Sequence, residues 1–238
     1  MSAPTGTGGR RGENAGMDAR VVSVNVGRVA HGEWAGRLRR TAIDKHPVEG
    51  RVAVGRLGLE GDEVADTDFH GGPAKAVYAY AREDLDFWAA ELGEPLTAGF
   101  FGENLTTTGI DVNAALVGER WRVGTALLEP IDVRIPCRVF KSWVGRHGLD
   151  DASWQKRFTV EARPGPYLRV LEEGSVAAGD AIVVEHRPAH AVTVATMFRA
   201  LTTDPALLPE LLAVEGLAPD VQQLVRRRTA RRPGGPGR

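Results

Sequence analysis

The chain has 238 residues, of which 42% are hydrophobic and 26% are charged, and its formal net charge is −1. These proportions are close to those of soluble globular proteins, so they argue against a disordered, fibrous or membrane-spanning chain. The small net charge predicts no general attraction to nucleic acid or to acidic membranes. A single cysteine, Cys137, excludes an intramolecular disulfide and a zinc site of the CxxC type.

The sequence also lacks the features of an exported or membrane-anchored protein. No apolar run approaches the roughly 20 residues that span a bilayer. Residues 1–16 are polar and rich in glycine, without the apolar segment of a secretory signal. We therefore expect a cytoplasmic protein.

Most of the predicted elements are β-strands. Residues 1–19 contain few large side chains, so they are predicted to be a disordered tail. From residue 20 onward, Val22, Val24 and Val26 alternate with small or polar residues, which indicates a half-buried strand. Further strands are predicted at residues 51–54, 76–80, 120–129, 131–135, 167–172 and 181–186.

Two helices are predicted among these strands. Residues 82–92 have one apolar face and end at Gly93, which is suited to a left-handed C-terminal cap. Residues 150–160 form the second, with Asp150 or Asp151 as N-cap and Trp154 and Phe158 one turn apart. Because most strands are not separated by helices, the pattern predicts a mainly β protein with helices, built on a β-barrel.

The hydrophobic spacing becomes helical after Pro188. We predict a barrel domain over residues 20–188, a small three-helix C-terminal domain over residues 189–230 and a disordered basic tail over residues 231–238. The arginines near residue 230 are typical of a helix C-terminus followed by a solvated tail. Binding of nucleic acid through these arginines is the alternative.

Cys137 is the first candidate for chemistry. A lone cysteine is often a small buried hydrophobic residue. Here Arg134, Arg138 and Lys141 lie within four positions of it, and positive charge favours the thiolate, which is the form that acts as a nucleophile or a soft metal ligand. The sequence therefore leaves both a structural and a functional interpretation open.

Two further clusters contain candidate site residues. His70, Gly71 and Gly72 precede a proline, and adjacent glycines permit a ligand to approach the backbone closely. An ordinary Gly-Gly-Pro turn is the alternative. In the second cluster, Glu103 and Asn104 would point to opposite faces of an extended segment, so at most one of them would face a pocket directly.

Several common enzyme motifs are missing from the sequence. There is no G-x-S-x-G, Walker A, G-x-G-x-x-G or H-E-x-x-H motif, so the usual hydrolase, NTPase, dinucleotide and zincin interpretations lose their support. From the residues alone, a site centred on Cys137 is what remains.

An ordered set of motifs resembles the MOSC (molybdenum-cofactor sulfurase C-terminal) domain proteins, and among them the YiiM-type group. The set covers roughly residues 21–188, and the helical segment that follows resembles the three-helix C-terminal domain of that group. Each motif alone is weak, whereas their common order and spacing are specific. The motifs are TAIDK (41–45), LGLEGDE (57–63), DFHGGPAKAV (68–77), FGENL (101–105), RIPC (134–137) and GSVAAGD (174–180).

The resemblance implies a MOSC-type β-barrel that binds a molybdenum-pterin cofactor, and it gives no reason to expect pyridoxal phosphate. Cys137 matches the family cysteine that ligates molybdenum in catalytic members. The implied activity is the reduction of N-hydroxylated compounds, such as hydroxylaminopurines and amidoximes, to amines. His70 and Glu103 are the candidate proton donors. The residues expected to line the cofactor pocket are Lys45, His70, Gly71, Gly72, Lys75, Asn104 and Arg138.

The expected partners follow from this activity. The chain has no iron-sulfur cysteine set and no flavin or nicotinamide motif, so a separate reductase must supply electrons to a small N-hydroxylated substrate. A homodimer is one option for the assembly, and neither a membrane nor nucleic acid is an expected partner. The alternative function is a non-catalytic carrier of the molybdenum cofactor or of sulfur, which would use a Cys137 persulfide.

Overall fold

The computed structural model describes residues 18–66 and 71–230 of the chain. The predicted disordered tails lie almost wholly outside these residues. The strands of the described ranges are β1 (Arg20–Gly27), β2 (Ala30–His31), β3 (Arg40–Thr41), β4 (Lys45–Pro47), β5 (Val52–Gly55), β6 (Gly58–Leu59), β7 (Val77–Ala81), β8 (Leu105–Thr108), β9 (Arg120–Val123), β10 (Ala126–Val133), β11 (Pro166–Glu172), β12 (Gly174–Val176) and β13 (Ile182–His186). The α-helices are α1 (Arg82–Leu92), α2 (Arg138–Arg146), α3 (Trp154–Glu161), α4 (Val194–Leu201) and α5 (Pro219–Ala230), and Pro73–Lys75 and Pro205–Ala213 form 3₁₀ helices.

The main sheet has eight strands in the order β13-β9-β10-β11-β7-β8-β1-β4. The β7–β8 pair is parallel, and the other pairs are antiparallel. A three-stranded sheet (β12-β5-β6) and a two-stranded sheet (β2-β3) complete the strand pairings. The architecture is therefore a mixed sheet-and-helix fold.

These pairings do not close the main sheet. Its order ends at β13 on one side and at β4 on the other. One isolated antiparallel bridge joins Arg20, the first residue of β1, to Ala181, the residue before β13. The predicted closed β-barrel is thus not confirmed, because a single bridge does not form a ladder between the two strands.

The strand predictions are confirmed for β1, β5, β7, β11 and β13 to within about two residues. The single strand predicted over residues 120–129 is wrong, because Gly124 turns the chain with a φ of 56° and separates β9 from β10. A side chain there would collide with Ser175 and Asp180, so the hairpin requires glycine. Strand β10 then continues through Pro130, next to an irregularity in its pairing with β11.

The helix predictions are confirmed in part. Helix α1 has the predicted bounds, and Gly93 caps it in the left-handed conformation with a φ of 77°. Helix α3 begins at Trp154, three residues later than the last predicted N-cap, because Ser153 adopts a φ of 52°. Helix α2 was not predicted; its buried residues are Phe140, Trp143 and Val144.

The segment after β13 forms α4, the 3₁₀ helix Pro205–Ala213 and α5, so only two of its three helical elements are α-helices, and the predicted three-helix domain is not shown. Proline at 205 and 209 removes two backbone donors from the middle element, which fits its 3₁₀ character. Apolar side chains of all three elements belong to the same core cluster as the sheet. Because of this shared core, the separate C-terminal domain over residues 189–230 stays a prediction.

An aromatic cluster fixes the helices around the end of β10. The Phe140 ring of α2 packs edge-on against Phe101, Trp154 and Phe158, with ring centroids 4.9, 5.4 and 5.2 Å away. Such pairs contribute about 0.5–1.5 kcal/mol each beyond area burial. This packing anchors the first turn of α2, and Cys137 is the residue directly before that turn.

Among residues 18–66 and 71–230, no helix combines the length and the apolar character needed to cross a bilayer.

Candidate functional site

A cavity of ≈ 210 Å³ lies where β10, the 3₁₀ helix Pro73–Lys75 and the β2–β3 hairpin meet. Its walls include five basic and three acidic side chains from the described residues. The charged residues are Arg37, Arg40, Lys45, Lys75, Arg134, Asp62, Glu63 and Asp66. The excess of basic groups favours an anionic ligand.

Cys137 lines this cavity and is half-buried. It is the N-cap residue of α2, with extended backbone (φ −118°, ψ 175°), and its side chain makes no capping hydrogen bond. Its carbonyl accepts the Lys141 backbone N–H at 3.2 Å, so the helix begins directly after it. The thiol is therefore held at the positive end of a helix, beside the cavity.

Arg134 is the most informative cation in the cavity wall. It is buried, with 7% of its surface exposed, and its guanidinium lies 5.0 Å from the Tyr78 ring centroid and 4.7 Å from that of Phe140. Within residues 18–66 and 71–230 its side chain has no hydrogen bond and no carboxylate partner. The buried Glu103 carboxylate attracts this charge without contacting it, so the position favours an anion that can bind the guanidinium directly.

The charge of Arg134 is nonetheless maintained. Burial acts to lower its pKa, but attraction to Tyr167, Tyr78 and Cys137 outweighs burial and raises the pKa above its usual value. The sequence marks Arg134 as a neighbour of Cys137, but it does not predict that Arg134 lines the pocket. The signal that could have identified it is a lone arginine directly after an apolar strand and three residues before the cysteine.

Lys45 and Asn104, both predicted as pocket residues, line the cavity together with Asp62. The Lys45 ammonium forms an ion pair with Asp62, and burial lowers the pKa of Lys45 despite that partner. Asp62 also accepts the Gly27 N–H and the Asn104 side-chain amide, both at 2.8 Å. The charge of Lys45 is thus balanced within the protein.

Asn104 is also held by the backbone. Its side-chain oxygen accepts the Tyr78 N–H at 3.0 Å, and its amide donates to the Asn25 carbonyl at 3.3 Å. These bonds connect β7 with β1, so the side chain is committed to the fold at the edge of the cavity.

Glu103 occupies a different environment. It is completely buried and does not line the cavity. Its carboxylate accepts the Gly99 N–H at 2.6 Å, the Phe101 N–H at 3.0 Å and the Thr106 hydroxyl at 2.8 Å. Burial raises its pKa, although these donors oppose the shift. The structure therefore places the Glu103 carboxylate among donors of residues 99–106 and outside the cavity wall, and its role as proton donor stays a prediction.

Only some of the other predicted pocket residues line the cavity. Gly71 lines the cavity, while Gly72 precedes the 3₁₀ helix and does not; their φ values are 76° and 74°. Arg138 is exposed on the first turn of α2 and is not part of the cavity wall. His70 lies outside the described residues. Lys75 lines the cavity, as predicted.

Lys75 connects the cavity to the C-terminal segment. Its ammonium lies 3.3 Å from the Asp132 carboxylate of β10 and 3.5 Å from that of Asp220 in α5. Burial acts to lower the pKa of Lys75, but the two carboxylates outweigh it and raise the pKa. Burial raises the pKa of Asp132 to about 6, because Lys75 offsets only part of the desolvation.

This shift predicts a pH dependence of stability. Between about pH 4 and pH 6 the folded state binds more protons at Asp132 than the unfolded state, so the free energy of unfolding falls as pH rises, by up to about 3 kcal/mol. Asp132→Asn should remove this decline, whereas Asp86→Asn, at an exposed position of α1, should retain it. Urea unfolding of both variants at intervals between pH 4 and pH 7 measures the slope, and an unchanged slope in Asp132→Asn would contradict the assignment.

The hairpin of β2 and β3 was not predicted to contribute to the site. Five of its residues line the cavity: Ala35, Arg37, Leu38, Arg40 and Thr41. The hairpin packs on α2 through Trp34, whose ring centroid lies 5.7 Å from that of Trp143. We call residues 30–41 the arm.

The site combines the half-buried Cys137 thiol with the buried Arg134 guanidinium, which has no direct partner among the described residues, in the wall of the same cavity. Within residues 18–66 and 71–230, no group of three or more His, Cys, Asp or Glu side chains could hold a metal ion. This arrangement defines a class of site in which one thiol and a mainly basic wall share a cavity.

Comparison with known proteins identifies the family. A family model described as the MOSC domain matches residues 66–183. The chain is 36% identical to the uncharacterized protein YflK of Bacillus subtilis (strain 168) over 159 residues, which are 67% of this chain and 70% of YflK. The chain belongs to the MOSC domain family.

Within this family the chain is of the YiiM type. The crystal structure of YiiM from Geobacillus stearothermophilus superposes with a TM-score of 0.71 at 28% identity, covering 88% of this chain and 98% of that one. A protein named "Reductase" from Gibberella moniliformis (strain M3125 / FGSC 7600) is 33% identical over 172 residues, which are 71% of this chain but only 29% of that protein.

Proposed function

We propose that this protein binds a molybdenum-pterin cofactor in the cavity and reduces N-hydroxylated compounds to amines. One observation carries the proposal. Cys137 and the buried Arg134, which has no hydrogen-bond or carboxylate partner among the described residues, line the same cavity. MOSC domains are associated with molybdenum cofactor binding. The relative named as a reductase supports an oxidoreductase class.

The residues present fit such a cofactor. Molybdenum favours soft sulfur ligands, and Cys137 offers one thiol at the cavity. The pterin carries a phosphate, for which Arg134 would provide the missing counter-charge. Gly71 lines the cavity in a left-handed conformation (φ 76°) that favours glycine, so no side chain separates its backbone from a ligand.

When bound, the cofactor supplies a metal centre that exchanges oxygen and takes up two electrons. In balance, each N–OH group takes two electrons and two protons and yields N–H and water. Cys137 would hold the metal, and Arg134 with Lys75 would bind the anionic end. Apolar residues of the wall, Ile43, Leu38 and Val139, limit the access of water.

The proposed reaction also needs a proton donor and a source of electrons. His70 is the candidate proton donor, because its neighbour Gly71 lines the cavity. A separate reductase supplies the electrons, because the sequence has no flavin, nicotinamide or iron-sulfur motif.

The test is elemental analysis of the protein made in a host that synthesises the molybdenum cofactor. We expect close to one molybdenum per chain and reduction of benzamidoxime with an artificial electron donor. Absence of molybdenum would overturn the proposal. Molybdenum without turnover, together with a one-sulfur adduct of Cys137 by mass spectrometry, would favour the carrier function instead.

Arg134→Met provides a second prediction. Replacing the charged side chain with an unbranched apolar one should lower the molybdenum content about tenfold, because the phosphate loses its counter-charge. Thermal unfolding of the cofactor-free protein should show no loss of stability, since methionine removes an uncompensated buried charge.

The matched control for this variant is Arg138→Gln, which changes an exposed arginine outside the cavity wall and should keep the wild-type molybdenum content. Arg134 would be shown to be purely structural if Arg134→Met destabilised the cofactor-free protein and left the molybdenum content of the folded fraction unchanged.

A further inference from the structure

The arm carries two arginines that form no ion pair with any residue in the described part of the chain. Arg37 and Arg40 are exposed, line the cavity and form no ion pair or side-chain hydrogen bond with any residue of the two described ranges. Arg39, between them in sequence, differs because it pairs with Glu33 at 3.1 Å and does not line the cavity. The two free guanidinium groups therefore belong to the cavity side of the arm.

The acidic residues of the cavity wall do not compensate these charges. Asp62 is bound by Lys45, Gly27 and Asn104, as described above. Glu63 pairs with Arg28 at 2.9 Å and accepts the Val29 N–H at 2.7 Å. Asp66, the third acidic residue of the wall, also has an interaction of its own. Among residues 18–66 and 71–230, none of the three carboxylates pairs with Arg37 or Arg40, so the exposed side of the cavity favours an anionic ligand.

The two arm arginines lie nearer the protein surface than Arg134. Arg134 is buried, whereas Arg37 and Arg40 are exposed, so a ligand's anionic group would reach them while keeping contact with solvent. The arm is held near α2, since a side chain at Gly36 would lie 3.0 Å from Val139. Leu38 and Val139 provide an apolar surface beside the arginines, which suits a flat ring.

We propose that Arg37 and Arg40 bind a phosphate group on the substrate, so that the preferred substrate is an N-hydroxylated nucleoside monophosphate and not the free base or nucleoside. The proposal rests on the proposed function for the reaction, but the anion site itself does not depend on it. Two guanidinium groups match a phosphate because each can donate two parallel hydrogen bonds. The ring of the substrate lies against the apolar wall, with its N–OH group toward Cys137.

Binding is tested without turnover by calorimetric titration of the purified, cofactor-containing protein with adenosine 5′-monophosphate and with adenosine. We expect the monophosphate to bind at least about tenfold more tightly to the wild type. The double variant Arg37→Gln/Arg40→Gln should lose this preference. Arg39→Gln, which removes one charge from the same arm, should retain it. Equal binding of the two compounds to the wild type would overturn the proposal.

Turnover is tested with an N-hydroxylaminopurine ribonucleoside and its 5′-monophosphate. The ratio of their kcat/KM values should favour the monophosphate in the wild type and in Arg39→Gln, and should fall about tenfold in the double variant. A molybdenum content lowered in the double variant but not in Arg39→Gln would overturn the proposal, because the arm would then bind the cofactor's phosphate. If the proposed reductase function is wrong, molybdenum and turnover are absent while the monophosphate preference persists.

Discussion

Cys137→Ala should abolish molybdenum binding and reductase activity while leaving the protein folded. The thiol is half-buried and makes no capping hydrogen bond to α2, so its removal should change the free energy of unfolding little. No other cysteine exists in the chain to replace it as a soft ligand. Molybdenum content per chain, measured with the thermal unfolding midpoint, gives both readouts from one preparation.

Cys137→Ser is the informative companion to this variant. Serine keeps the size and polarity of the side chain but offers a hard oxygen in place of sulfur, so it should also lose molybdenum. Retention of wild-type molybdenum in both variants would show that the metal is held without Cys137. Retention in Cys137→Ser alone would show that the position needs a polar atom and not a soft ligand.

Glu103→Ala should lower the free energy of unfolding by about 3 to 5 kcal/mol. The substitution leaves two backbone N–H groups and the Thr106 hydroxyl without their acceptor in a fully buried loop. Gly99 makes this loop still less tolerant, because it has a φ of 85° and packs directly against the Lys45 carbonyl. Urea unfolding at neutral pH measures the loss.

Two controls separate this structural role from catalysis. Glu103→Gln keeps one acceptor oxygen and should be destabilised less than Glu103→Ala. Glu91→Ala changes an exposed glutamate of α1 and should stay within about 0.5 kcal/mol of the wild type. A Glu103→Gln variant with wild-type stability and molybdenum content but no turnover would instead support the proton-donor role.

The sequence was sufficient for the features that depend on neighbouring residues. The alternation of Val22, Val24 and Val26 identifies β1, and the apolar face with its terminal glycine identifies α1. The order of the motifs was sufficient for the family, and the RIPC motif singled out Cys137. Alternation also gave the correct statement that only one of Glu103 and Asn104 could face a pocket, because successive side chains of an extended segment point to opposite sides.

Only the tertiary structure decided which of these residues share a site. Asn104 and not Glu103 lines the cavity because the Glu103 carboxylate turns inward to two backbone N–H groups of its loop and to the Thr106 hydroxyl of β8. The openness of the main sheet depends on which strands pair at its edges, and hydrophobic periodicity carries no information on that pairing. The same holds for Arg134, Arg37 and Arg40. Whether a charged side chain has a partner depends on residues far away in sequence. The local sequence therefore identifies the arginines but does not show that they lack an ion-pair partner.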